Sequence, residues 1–194
     1  MENFTSFLFY VLISNLSPGP NTIISMSNAS YYGFKKSIRF NIGIFFGVYI
    51  IMALSSIFSV TLYSLIPSIK PIISCIGASY ILWLAWKTYK SKPHSDDKVQ
   101  NHTNTFLYGL LLQFVNPNTI IYSLMTVSTF IVPYYKSVFI LAAFSGILAF
   151  IGFIATCCWS LFGSVFQKFL VKNDKVINTI MSLLLVYCAV SLFF

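Results

Sequence analysis

Two short stretches of this chain place amide side chains beside prolines inside otherwise apolar sequence. The first is Asn15, Ser17, Pro18, Gly19, Pro20 and Asn21; the second is Gln113, Asn116, Pro117 and Asn118. Proline has no N–H and breaks the helical hydrogen-bond ladder, and glycine loosens the backbone beside it. Carbonyls freed in this way must find other partners, and the neighbouring amides can both donate and accept. Such a pair of breaks is suited to holding a polar solute, with Asn21, Gln113, Asn116 and Asn118 as the expected substrate-binding residues. Pro18, Gly19, Pro20 and Pro117 would form the breaks themselves.

The pentapeptide at residues 20–24 recurs identically at 117–121, displaced by half the chain. An internal repeat of this kind, with an interrupted hydrophobic segment in each half, points to a binding site between the halves. The alternative is that the prolines only kink their helices and the asparagines only join neighbouring helices. Two breaks at matched places, each with polar residues beside the proline, favour the functional reading.

Catalytic chemistry is not expected. The apolar runs contain no Asp, Glu, Lys or His in their interiors, so the many serines have no base to activate them. No Walker A phosphate loop is present, and no cofactor is expected. His94, Asp96 and His102 fall in one polar stretch but lack cysteines and helical ligand spacing, so no metal site is expected. Cys157 and Cys158 are adjacent rather than spaced as C-x-x-C. With Cys75 and Cys188 they lie in apolar runs, where thiols pack as small hydrophobes, and no disulfide framework is expected.

The elements that would position the breaks are set by composition. Of the 194 residues, 57% are hydrophobic and 8% charged, with a mean hydropathy of +0.81. Soluble domains carry roughly a quarter charged residues, so lipid must cover this surface. Six apolar runs are long enough to span a bilayer: residues 4–28, 39–63, 71–87, 105–129, 137–166 and 176–194. They predict an all-α, polytopic fold of six transmembrane helices, the first and fourth broken. The whole chain, 1–194, reads as one transmembrane domain with three-helix halves at 1–90 and 105–194, joined by a cytoplasmic linker at 91–104. Each half has an odd number of spans, so the halves should be inverted relative to one another. The start at Met1, Glu2 and Asn3 lacks the basic region of a signal peptide, so the first span is expected to be retained.

The formal charge is +8, but the basic residues lie between apolar runs, which speaks for topology rather than nucleic-acid binding. Lys35, Lys36, Arg39, Lys87, Lys90, Lys92, Lys98, Lys168, Lys172 and Lys175 fall in odd-numbered connections; Lys70 and Lys136 fall in even ones. The positive-inside rule therefore makes the odd connections cytoplasmic and puts both termini outside. Trp83, Trp86 and Tyr89 read as an interfacial belt beside Lys87 and Lys90. Gly43 and Gly47 form a GxxxG pattern, and Ala142 with Gly146 a similar one. Both are packing surfaces, either within the subunit or between subunits of a homo-oligomer.

With no fixed charge in the spans, the fitting solute is a small zwitterion, its carboxylate facing half-helix N-termini and its ammonium facing freed carbonyls. The sequence also resembles a known family, the LysE/RhtB amino-acid exporters of bacteria. The resemblance rests on residues 17–21, the Gly33-Phe34 step and the run 77–87. The segments 112–116, 128–130 and 184–190 look like the branch that exports cysteine and O-acetylserine. It implies a secondary transporter of the bacterial inner membrane. One departure is Asn118, which stands where the family commonly has lysine after Asn-Pro, so no lysine role carries over. Export of threonine or homoserine, or a scaffold subunit that transports nothing, are the alternative readings.

Overall fold

The computed structural model describes residues 4–90, 103–166, 169 and 172–191. Every regular element among them is helical: α1 (Phe4–Leu16), α2 (Pro20–Tyr32), α3 (Phe34–Tyr89), α4 (Phe106–Val115), α5 (Pro117–Thr126), a π-helical turn (Val127–Ile131), α6 (Val138–Val165) and α7 (Asp174–Ser191). The residues His94, Asp96 and His102, with most of the expected linker, lie outside the described residues.

Both expected breaks are present, and local chemistry accounts for them. After α1, Ser17 and Pro18 leave the helix. Gly19 then caps α2 in an extended conformation, its N–H donating to Thr22 Oγ1 at 2.8 Å. Pro20 occupies the first helical position, where a missing N–H costs nothing. The second break repeats the device. Asn116 caps α5 with its side-chain oxygen, which accepts from the Asn118 N–H at 3.1 Å, and Pro117 follows. The segments either side of this break meet at a bend of 69°. α2 runs four residues past the expected end of the first span and stops at Gly33, whose φ of 78° lies in the left-handed region open to glycine.

α3 departs most from expectation. The runs 39–63 and 71–87 are joined in one helical stretch that starts at Phe34, ahead of the basic residues. It cannot be a straight rod. The Tyr108 hydroxyl lies 2.7 Å from that of Tyr80, and the Tyr108 ring is 6.2 Å from that of Phe40. Forty residues of straight helix would separate these partners by about 60 Å. The chain therefore doubles back between Phe40 and Tyr80, and the runs 39–63 and 71–87 contribute to two antiparallel arms.

α2 sits at the centre, buried along most of its length from Pro20 to Ser30. The first arm of α3 packs against α4 at backbone contact. A β-carbon on Gly43 would collide with the Phe106 carbonyl, and one on Gly109 with the Phe40 carbonyl. One on Gly47 would fall 2.7 Å from the Leu110 carbonyl oxygen. The GxxxG face thus packs within the chain. On the other side α6 crosses α2, and Gly163 admits the Met26 carbonyl in the same way. Phe40, Ile44, Met52, Ile81, Leu148 and Leu185 fill the spaces between these helices. Large apolar side chains cover the outside, Phe139 at 89% exposure among them.

Among the described residues, two helices are long and apolar enough to cross a membrane, 34–58 and 138–165, and the bent pair 106–115 with 117–131 makes a third if it is one span. Basic residues gather at one end. Lys35, Lys36 and Arg39 start α3, and Lys87 and Lys90 end it after the reversal. α6 ends beside them, the Ser164 hydroxyl accepting from the Phe34 N–H at 3.3 Å. Lys136 precedes α6, whose 28 residues carry it about 40 Å away. At the basic end, Lys87 Nζ stands 5.2 Å from the Trp83 ring and Lys90 Nζ 4.3 Å from Trp86.

Candidate functional site

The two breaks meet, and the amides beside them form one cluster. Asn21 Nδ2 donates to Gln113 Oε1 at 2.9 Å, and Gln113 Nε2 donates back to Asn21 Oδ1 at 3.0 Å. Asn116 Nδ2 donates to the same Asn21 oxygen at 3.2 Å. Gln113 Nε2 also reaches the Gly109 carbonyl at 3.0 Å, and Thr119 Oγ1 donates to Gln113 Oε1 at 2.8 Å. Gln113 is fully buried with both donors and both acceptor positions engaged. Asn21 and Asn116 each retain one amide hydrogen beyond the bonds just described.

Asn118, the fourth expected residue, stays outside this cluster. It is exposed, and its Nδ2 lies 4.0 Å from where a β-carbon on Gly19 would sit, so it bridges toward the opposite break. The sequence pattern missed Thr119, whose role appears only once Pro117 restarts the helix and turns the next residues inward.

Carbonyls freed by the first break are met from two other helices. Trp159 Nε1 donates to the Leu16 carbonyl at 3.3 Å, and the Cys188 thiol to the Pro18 carbonyl at 3.4 Å. Neither residue was legible as part of the site, because nothing near them in sequence is polar enough to draw notice. Cys157, half-buried, contacts Asn41 Nδ2 at 3.7 Å while Cys158 is exposed; none of the four cysteines is in a disulfide.

The pairing of half-helices gives the site its electrostatics. α2 runs antiparallel to α4, with Asn21 opposite Gln113 and Asn28 opposite Thr103. α1 runs antiparallel to α5 and the π-turn: Asn15 Nδ2 donates to the Tyr122 hydroxyl at 3.0 Å, and the Phe7 ring lies tilted against that of Phe130 at 5.4 Å. Two helix starts and two helix ends therefore converge on the cluster, offering positive and negative dipole ends side by side without a charged side chain.

Comparison with known proteins assigns the chain to a family. The family of LysE type translocators matches over residues 12–194. The chain belongs to the LysE translocator family. Among curated relatives of this translocator, a cysteine/O-acetylserine efflux protein of Salmonella typhi is 39% identical over 190 residues, covering 98% of this chain and 97% of its own. The protein of the same name from Escherichia coli strain K12 is 37% identical over the same share of each. No solved structure matches the chain. Family membership makes this a membrane transport protein rather than an enzyme.

Proposed function

We propose that this translocator exports small neutral amino acids, cysteine and O-acetylserine foremost, by alternating access around the amide cluster. The observation that carries the reading is the convergence of Asn21, Gln113 and Asn116 at two helix breaks with no charge among them. The spare amide hydrogens of Asn21 and Asn116, with the starts of α2 and α5, suit a carboxylate. The ends of α1 and α4 suit an ammonium. A cationic or anionic solute would leave one charge unmatched in a low-dielectric interior. The efflux relatives support the choice of substrate.

The same reading takes the chain six times through the bacterial inner membrane: the broken α1–α2, two arms of α3, the broken α4–α5, α6 and α7. Pairing α1 with α5 and α2 with α4 is what a two-fold axis in the membrane plane would generate, which supports inverted halves. Basic loops are then cytoplasmic and both termini outside.

Cells overproducing the protein should release labelled cysteine or O-acetylserine faster than controls. Asn116→Leu should insert normally and lose that release. Normal export by the variant would remove the cluster from the mechanism. A competition panel in proteoliposomes that includes threonine and homoserine sets the substrate, and a scaffold would move none of them.

A further inference from the structure

Asn104 is completely buried, and both its amide nitrogen and its amide oxygen lack a hydrogen-bond partner. No other side chain among the described residues leaves two buried polar atoms unmatched. Its neighbours are engaged. Thr105 caps α4 by accepting from the Tyr108 N–H at 3.2 Å. Thr103 exchanges two bonds with Asn28: Asn28 Nδ2 donates to the Thr103 carbonyl at 3.3 Å, and Thr103 Oγ1 donates to Asn28 Oδ1 at 3.0 Å. An isolated hydroxyl can rotate toward a nearby helix carbonyl, but a carboxamide needs a partner that accepts and donates at once.

A polar run connects this place to the central cluster. Asn21, Ser25 and Asn28 share one face of α2, so Asn28 lies about 10 Å along the helix from Asn21. The Ser25 hydroxyl between them is buried and unmatched, as is Asn41 Oδ1 alongside. Ser160 links the two residues, its Oγ accepting from Asn41 Nδ2 at 2.9 Å and donating to the Ser25 carbonyl at 3.2 Å. The run leads from the cluster toward the end of the molecule that carries Lys35, Lys36 and Arg39.

We propose that Asn104 and Asn28 form a second amino-acid site, where substrate is loaded from the basic face before it passes along α2 to Asn21, Gln113 and Asn116. The ligand is a zwitterion: its carboxylate accepts from Asn104 Nδ2 and its ammonium donates to Asn104 Oδ1, the pairing that one unmatched carboxamide can offer. In the present conformation the Asn28–Thr103 bonds hold the site closed, and loading parts them. The inference rests on the export reading above.

The test uses the purified full chain in proteoliposomes with labelled cysteine, measuring kcat/KM, equilibrium affinity and melting temperature. Asn104→Leu removes two unmatched polar groups at similar volume, so its melting temperature should equal or exceed that of the wild type. Its kcat/KM should fall about tenfold while the affinity of the central cluster stays within about twofold. Asn104→Asp replaces the donor to the substrate carboxylate with a like charge, so kcat/KM for cysteine should fall further than in Asn104→Leu while central affinity again stays within about twofold, a change that mere packing would not produce. Wild-type kcat/KM in both variants would mean that Asn104 serves only to hold a buried water, and would overturn the proposal. So would loss of transport in Asn104→Leu accompanied by lower melting temperature and lost central affinity. A wild-type protein that transports no amino acid would instead fail the export reading, before any variant is compared.

Discussion

Gln113 ties the cluster together because every hydrogen-bonding position it has is used, on Asn21, Thr119 and the Gly109 carbonyl. Gln113→Leu would strip the Thr119 hydroxyl of its acceptor and the Asn21 Nδ2 of its own, at a cost of about 1–3 kcal/mol for each group left unmatched. The expected outcome is a melting temperature several degrees lower in detergent together with lost transport. Asn116→Leu forfeits one bond to Asn21 and a helix cap worth about 1 kcal/mol, so it should fold well and fail mainly in transport. Thermal melts of the two variants side by side check the contrast. These amides were legible in the sequence because each stands beside a proline in an apolar run, where a polar residue needs a reason. Asn28, Asn41, Asn104 and Ser160 were not. Polar residues near helix ends are ordinary, and only folding reveals that these four are buried and point inward rather than toward headgroups.

At the scale of the element, the glycines of α3 and α4 let two backbones touch. Gly43→Ala would drive a methyl group into the Phe106 carbonyl and should cost about 1–3 kcal/mol. Gly146 meets only the edge of the Tyr49 ring, 3.8 Å away, so Gly146→Ala should be neutral or gain slightly from better helix propensity. Opposite results in detergent melts would mean that these helices pack differently. Proline positions announced where α2 and α5 begin, and hydrophobic runs announced the extents of α6 and, within a few residues, α7. What the pattern could not give was the partner of the GxxxG face, because Gly109 carries no motif of its own, or the contact made by the isolated Gly163. Nor could it show that the chain between residues 39 and 87 keeps helical backbone through its reversal, since an even-numbered loop with one lysine reads as an ordinary connection.

For the molecule as a whole, the proposed orientation rests on the distribution of basic residues. In a version lacking native cysteines, Lys136→Cys should react with an impermeant maleimide added to intact cells, whereas Lys36→Cys and Lys90→Cys should react only after permeabilisation. The reverse pattern would turn the protein over in the membrane. A mechanical consequence follows from α2. This rod of 13 residues has the loosened Pro18-Gly19 joint at one end and the left-handed Gly33 at the other. Midway between them, the Met26 carbonyl rests in the hollow of Gly163. A rod pinned at its centre, with a flexible joint at each end, is a lever, and in the proposed cycle it tips about that fulcrum once the bonds of Asn21 or Asn28 part. Asn21 and Asn28 stand on opposite arms of it, so a tilt that draws one toward its partners carries the other away. Under the proposed export cycle, each end of the molecule then opens only as the opposite one shuts.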